Sequence, residues 1–308
     1  MTSPFGRLTL VVNPRAGRGT VGRKLPGIEA ALRERGLEYE VRVTEGPGDA
    51  SGVTRRAVES GSRFVVAVGG DGTVHEVVNG LLHDDAALHP DTVLGVISAG
   101  SGCDFIRTFS LPAEAIEAVD RLTGAQTRPL DVGKISFLDR EGRPAVRYFA
   151  NIAEAGLGGS TARRAAGLPA RLGPARYFFA FWLVLPCYRP RSACVEVDDQ
   201  SVFEGRAVNL VLANCRFFGG GMHISPASDP ADGVLDVQVY TGPKSDSFTT
   251  LPKVYKGRHL PNRNVVELRG TRFHLHGEQP LEIEADGEVL GTTPATIEVL
   301  HRPLTLKI

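Results

Sequence analysis

The run Phe64-Val65-Val66-Ala67-Val68, followed at once by Gly69-Gly70-Asp71-Gly72-Thr73, leaves few folds open. Five consecutive apolar residues read as a strand buried on both faces, the kind found in parallel sheets covered by helices. Beyond the glycines, Val74, Val77, Val78, Leu81 and Leu82 stand at the i, i+3, i+4, i+7, i+8 spacing of an amphipathic helix. Glycines between such a strand and helix let the backbone approach a ligand closely. The helix start offers free N–H groups and the positive end of a dipole, which suits phosphate oxygens. Asp71 stands where a carboxylate would meet a metal–phosphate complex. The plainer alternative is a tight strand-to-helix turn with glycines for geometry alone.

The rest of the first third repeats the alternation. Residues 8–12 read as a strand ended by Asn13-Pro14, and a helix is expected from about Pro26, with Ile28 and Leu32 on one face and Gly36 as its stop. Tyr39, Val41 and Val43 alternate as in a strand. Asp49 is placed to cap a helix carrying Val53 and Ala57. Residues 93–97 form a further strand, and Ala115, Ile116, Val119 and Leu122 a further helix. Strands alternating with helices imply a doubly wound parallel sheet. From about residue 131 short β runs dominate, at 132–137, 193–197, 207–213, 234–240, 265–268, 273–275, 281–284 and 297–300. Turns such as Asp232-Gly233 and Asp286-Gly287 divide them, so this part reads as a mostly antiparallel sandwich. One helical insert is expected at about 161–185. The expected domains are 1–130 and 131–300, with a cleft between them.

A formal net charge of zero provides no global field to recruit nucleic acid, so none is expected as a partner. Cys103, Cys187, Cys194 and Cys215 show neither C-x-x-C nor zinc-site spacing, which suits a reducing cytoplasm. The N-terminus has no signal-peptide pattern, and the longest apolar run, 177–185, is short of the roughly 20 residues that a span needs. Contact with a membrane is therefore expected to be peripheral. Residues 147–191 hold seven arginines and one acid, Glu154, beside Tyr177, Phe178, Phe179, Phe181 and Trp182. Cations next to aromatic groups suit an anionic bilayer surface, while a core helix with solvated arginines is the plainer reading. His75 reads as a hydrogen-bonded surface histidine.

Gly70-Asp71-Gly72-Thr73, continued by Val74-His75-Glu76-Val77-Val78-Asn79-Gly80-Leu81, resembles the catalytic signature of the diacylglycerol and sphingosine kinases. Asn13-Pro14-Arg15-Ala16-Gly17-Arg18-Gly19 is similar to that family's first nucleotide loop, and Ala99-Gly100-Ser101-Gly102-Cys103-Asp104-Phe105 to its third. Gly219-Gly220-Gly221-Met222, Ser225-Pro226-Ala227, Asp232-Gly233 and Asp286-Gly287-Glu288 follow in the family's order, so the resemblance covers almost the whole chain. In the third loop Ser101 and Cys103 stand where the family usually has Thr and Asn; Ser101 keeps a hydroxyl, Cys103 loses an amide.

The resemblance implies an NAD kinase/diacylglycerol kinase-like fold, an α/β domain followed by a β-sandwich, with the extreme C-terminal strand, about 301–308, returning to the first domain. It implies an ATP- and magnesium-dependent kinase for a hydroxyl of a membrane lipid, diacylglycerol first, giving phosphatidic acid, or a sphingoid base. Asn13, Pro14, Arg15, Ala16, Gly17, Thr44, Gly69, Gly70, Asp71, Gly72, Thr73, Val74, His75, Glu76 and Ser101 would contact ATP. Asp71 and Asp131 would belong to an aspartate–water–magnesium network, and Asp286 and Glu288 would supply the base. A second magnesium would take the side chain of Asp232 and the carbonyls of Asp229 and Val234. Phosphoryl transfer needs positioning and charge neutralisation above all, and an alcohol gains from a carboxylate within reach. Both Asp-Gly turns have the alternative of plain hairpins. NAD kinase, which shares the glycine loop, and a non-catalytic nucleotide- or lipid-binding protein are the rival functions, and a homodimer is left open.

Overall fold

The computed structural model describes residues 3–98, 103–169, 172 and 175–308. The chain divides into two compact units, Met1–Asp131 with His301–Ile308, and Val132–Leu300. Ser101 and Arg171 lie outside the described residues.

In the first unit the order is β1 (Leu8–Val12), α1 (Ala16–Glu34), β2 (Tyr39–Val43), α2 (Asp49–Glu59), β3 (Phe64–Gly69) and α3 (Asp71–Leu81). After these come a small hairpin of β4 (Leu82–His83) and β5 (Ala86–Ala87), then β6 (Val93–Ser98), α4 (Asp104–Thr108) and α5 (Ala115–Leu122). The strands β1, β2, β3 and β6 pair in parallel in the order β2-β1-β3-β6. β1, β3 and β6 are buried along their whole length, which is why their sequences are continuous apolar runs. Leu10, Val12, Val66, Val68 and Ile97 pack against Val21, Ile28 and Leu32 of α1 and Val119 of α5. The first helix differs from the expectation: it begins at Ala16, and Pro26 lies inside it. Gly17, Arg18 and Gly19 are left-handed, a break that no hydrophobic pattern reports, and the buried stripe starts before the proline, at Val21. Asp49 does not cap α2. Its N-cap is Gly48 at φ 84°, and Asp49 accepts the Glu45 N–H instead.

The second unit contains β7 (Thr127–Leu138, which starts in the first unit), β8 (Pro144–Phe149), β9 (Ile152–Gly156), α6 (Leu157–Ala166) and α7 (Ala175–Val184). It continues with β10 (Arg191–Val197), β11 (Gln200–Ala207), β12 (Asn209–Ala213), the short β13 (Phe217–Phe218) and β14 (Met222–His223), β15 (Leu235–Tyr240) and α8 (Asp246–Val254). β16 (Val265–Gly270), β17 (Arg272–His276), β18 (Glu282–Ala285) and β19 (Glu288–Lys307) complete it. One run of neighbours is β16-β15-β12-β9-β18-β19, and a second is β11-β10-β17-β19. β10 with β11 and β17, β12 with β9 and β15, β15 with β16, β18 with β9 and β19, β17 with β19, and β7 with β8 all pair antiparallel. Phe149, Phe273, Leu210, Val195 and Ile283 fill the core between inward faces. The last residues of β19 pair in parallel with β6, within the first unit.

Two expectations for this unit need correction. The helical insert at 161–185 is two helices, α6 starting at Leu157 and α7 at Ala175. α8 falls where no helix was expected, because its sequence holds two threonines and Pro252 and buries only Val254. No described helix is long and apolar enough to cross a membrane.

Candidate active site

In the first unit the expected nucleotide residues gather at one edge of the sheet. Register pairs Val12 with Val43 and with Val68, so Asn13 and Thr44 follow β1 and β2 at the same edge where Gly69 ends β3, the carboxyl ends of adjacent parallel strands. The Asn13 N–H donates to the Val68 carbonyl, and the Thr44 N–H to that of Val12. The chain leaves β1 towards β2 on one side and reaches β3 on the other. The Asn13–Gly17 and Gly69–Thr73 loops thus flank the switch point where doubly wound sheets bind ligands.

The glycines there have distinct reasons. A Cβ on Gly69 would sit 2.2 Å from Thr73 Oγ1, so the loop closes on its own helix only without one. Among the described residues a Cβ on Gly70 would meet nothing within 4 Å, which leaves room there beside the start of α3. The Thr73 and Val74 N–H groups turn back to the Gly70 carbonyl, while the Gly72 N–H has no partner among the described residues. A backbone donor at a helix start beside open space fits a phosphate oxygen.

Asp71 looks inward rather than outward. Its Oδ2 accepts the Asp104 N–H at 3.0 Å, and its Oδ1 accepts the Phe105 N–H at 3.0 Å and the Cys103 thiol at 3.3 Å. The carboxylate caps α4 and ties the third loop to the second. Burial, and then the charge of Asp71, push the Cys103 thiol well above its ordinary range, so it stays a neutral donor. Here the thiol stands in for the amide of an asparagine, as a weaker donor. Asp131 is wholly buried and accepts the Arg302 N–H at 2.7 Å, with His301 Nδ1 at 3.1 Å.

Two of the residues expected to contact ATP have structural partners. Glu76 accepts the Gly48 and Ala50 N–H groups at 2.8 and 2.9 Å and so caps α2 from α3. His75 is buried, not a surface residue, and Asn79 Nδ2 donates to its carbonyl at 2.9 Å. It falls on the core side of α3 together with Val74 and Val78.

In the second unit the Asp286-Gly287-Glu288 turn divides its two carboxylates. Asp286, at φ 50°, accepts the Ala150, Asn151 and Ile152 N–H groups at 3.1, 3.0 and 3.1 Å. Glu288 is exposed, and its carboxylate has no hydrogen-bond or ionic partner among the described residues. Asp232 accepts the Val234 N–H at 3.2 Å and is paired with Arg269, which also reaches Asp236 at 3.4 Å; the Asp229 carbonyl accepts the Ala231 N–H. A cation already neutralises the carboxylate that the second magnesium would take. Among the described residues the metal-type grouping is Cys194, Glu196 and His276, whose thiol and imidazole suit a softer ion than magnesium.

Residues that no motif flagged form the most unusual feature. Glu154 on β9 and Glu284 on β18 are register partners, 3% and 1% exposed, and their carboxyls share a hydrogen bond. Tyr177 Oη donates to Glu154 at 2.8 Å and Asn209 Nδ2 at 2.6 Å; Glu284 accepts the Gly287 N–H at 2.8 Å. Burial raises both carboxyls above the usual carboxylate range, Glu284 well above. Glu154 also borders a cavity of about 140 Å³ whose walls include Leu157, Phe181, Val208, Met222 and Leu251. The available sequence signal was a glutamate inside the otherwise apolar 152–156 run.

Residues 7–135 match the diacylglycerol kinase catalytic domain, and residues 151–308 the YegS C-terminal NAD kinase beta sandwich-like domain. The chain belongs to the diacylglycerol kinase/YegS family of lipid kinases. The lipid kinase is 33% identical over 277 residues to a probable YegS-like lipid kinase of Xanthomonas campestris, covering 88% of this chain and 87% of that one. It is 27% identical to a diacylglycerol kinase of Bacillus subtilis, over 96% of this chain and 94% of that one. A crystal structure of a diacylglycerol kinase from Bacillus anthracis superposes with a TM-score of 0.71 at 26% identity, over 99% of this chain and 97% of that one. Likeness along the full length of both chains establishes the two-part fold and the kinase class together.

Proposed function

We propose that this lipid kinase transfers the γ-phosphoryl group of magnesium-bound ATP to the free hydroxyl of a membrane lipid. Diacylglycerol is the acceptor that the relatives' names point to, and a sphingoid base is the second reading. The observation that carries the nucleotide half is the carboxyl-edge cluster of Asn13, Thr44 and the Gly69–Thr73 loop, where, among the described residues, the Gly72 N–H is unpaired and there is room at the start of α3. Magnesium-bound ATP supplies the transferable group. The protein's own share is to hold its phosphates against backbone donors and keep the third loop in place through Asp71.

On the acceptor side, Asp286 spends its carboxylate on three N–H groups and so sets the turn, which leaves Glu288 to take the hydroxyl proton. The apolar cavity beside α7 and α8 receives hydrocarbon from the lipid. Phe178, Phe179, Leu183 and Phe248 are about half exposed or more on these two helices, and together with Arg164 and Arg189 they form the face that meets an anionic bilayer peripherally. The test is incubation of the protein with ATP and magnesium against diacylglycerol micelles, sphingoid-base micelles and NAD in parallel, with the phosphorylated product identified. Product from lipid alone supports the proposal; product from NAD alone, or from none, overturns it.

A further inference from the structure

The cavity beside α7 and α8 is mostly apolar, with Asn209, Asp246 and Asn264 among its few polar walls, and the Glu154 carboxyl stands there too. Engineered apolar cavities of about 150 Å³ stay dry and take up small apolar ligands, so hydrocarbon suits this space. A buried carboxylate suits it badly unless something compensates it. Among the described residues no Lys, Arg or His pairs with Glu154 or Glu284. Tyr177 and Asn209 donate to Glu154, and a third position is taken by the hydrogen bond it shares with Glu284, whose carboxyl is the more strongly raised of the two and so the better holder of the proton. Three donors leave one lone-pair direction of its four open.

We propose that Glu154 receives the hydrogen-bond-donating head, a hydroxyl or an ammonium, of an amphiphile whose hydrocarbon fills this cavity. The proposal rests on the lipid-binding reading given above and names the residue that reads the lipid's head. The geometry also ties that head to the chemistry. Glu154 bonds to Glu284, and Glu284 holds the Gly287 N–H at 2.8 Å, one residue from Asp286 and one from Glu288. A lipid head seated on Glu154 therefore lies against the glutamate that supports the turn carrying the acceptor base.

The test uses the full chain and a readout that needs no phosphoryl transfer. Trp182, the single tryptophan, lies on α7 with its ring 4.9 Å from Phe248 of α8, so its fluorescence reports filling of the space between the two helices. The probes are dodecanol, dodecylammonium and dodecyl methyl ether, which share a tail and differ in the donor. Dodecanol and dodecylammonium should bind at least about tenfold more tightly than the ether, which has no donor. The tighter of the two identifies the head as neutral or cationic. Glu154→Gln should bring all three probes within about threefold of one another, since the charge-assisted bond is gone. Glu284→Gln should preserve the order, because its amide still donates to Glu154 and its carbonyl still accepts from Gly287. An ether that binds the wild type as tightly as the alcohol overturns the proposal, as does an unchanged order in folded Glu154→Gln. Should that variant fail to fold, the wild-type comparison of alcohol with ether decides alone. Lipid phosphorylation without an alcohol–ether difference sinks this site and leaves the kinase reading; the reverse result sinks the kinase reading and leaves the site.

Discussion

At Asp286 one carboxylate accepts three backbone N–H bonds, while Glu288, two residues on, is exposed and accepts none. The same substitution at the two positions should therefore separate structure from chemistry. Glu288→Gln is expected to lower kcat by about 10²–10⁴-fold, the range for a general base, with the melting temperature unchanged. Asp286→Asn should lower activity and also destabilise the protein by about 1–3 kcal/mol, because an amide turned towards three N–H groups leaves at least one unsatisfied. Kinase assays and melts of both variants check this, and a Glu288→Gln enzyme with wild-type kcat removes Glu288 from the chemistry. The Asp286-Gly287-Glu288 sequence was legible from the start. The different partners of its two carboxylates were not, because they depend on backbone donors at Ala150, Asn151 and Ile152, some 135 positions earlier in the chain.

Between elements, the family signature proves to be partly about packing. Gly80 of the Asn79-Gly80-Leu81 segment lies where α3 meets α2, and a Cβ there would come 2.4 Å from the Ser51 carbonyl oxygen and 2.7 Å from Thr54 Cβ. In an isolated helix Gly→Ala would gain about 1 kcal/mol. Here overpacking against fixed backbone costs about 1–3 kcal/mol, so Gly80→Ala should destabilise the protein on balance. Urea unfolding tests the sign, and a higher midpoint would refute the packing argument. The Glu154–Glu284 pair joins β9 to β18 and titrates with folding. Both acids have folded-state pKa values above the unfolded value of about 4.3. The folded chain then holds protons that the unfolded chain has lost. The pair's contribution is complete below about pH 4 and fades as pH rises towards the folded-state values. The stability of wild type relative to Glu284→Gln should accordingly decline between mildly acidic and alkaline pH. A difference that stays flat across that window would show that the pair does not hold its proton.

For the molecule as a whole, a net charge of zero provides no long-range attraction to a bilayer, so the membrane contact proposed above rests on a local patch. Of the arginines in 147–191, Arg163 is paired with Glu282 at 2.8 Å and Arg191 is bonded to the Pro280 carbonyl. Arg164 and Arg189 have no carboxylate partner among the described residues. α7 buries only Ala180 among its described residues and turns Phe178, Phe179 and Leu183 outward, which is not how a core helix behaves. Binding to anionic vesicles should weaken as salt shortens the Debye length from about 8 Å to about 3 Å. Reversing Arg164 and Arg189 to Glu should weaken it by at least about tenfold, at about 1 kcal/mol per basic residue. Phe178→Ser with Phe248→Ser should weaken it at every salt concentration. Cosedimentation indifferent to salt and to both pairs of substitutions would rule this face out.

What the sequence determined by itself was local in origin: the parallel α/β unit, the antiparallel second unit, and membership of a lipid-kinase family. Hydrophobic period and contiguous glycine motifs encode those features over ten to twenty residues, and α8 escaped because Pro252 and two threonines erase the period. Tertiary structure alone decided the partners of the buried charges. Asp71 caps a helix 33 positions on, Glu76 caps one 28 positions back, and Asp131 meets Arg302 across 171 positions. Glu154 meets Glu284 only because β9 and β18 pair in one register, and a slip of one residue would turn the two carboxyls to opposite faces. A carboxylate's partner is set by strand order and register, which no local window of sequence contains.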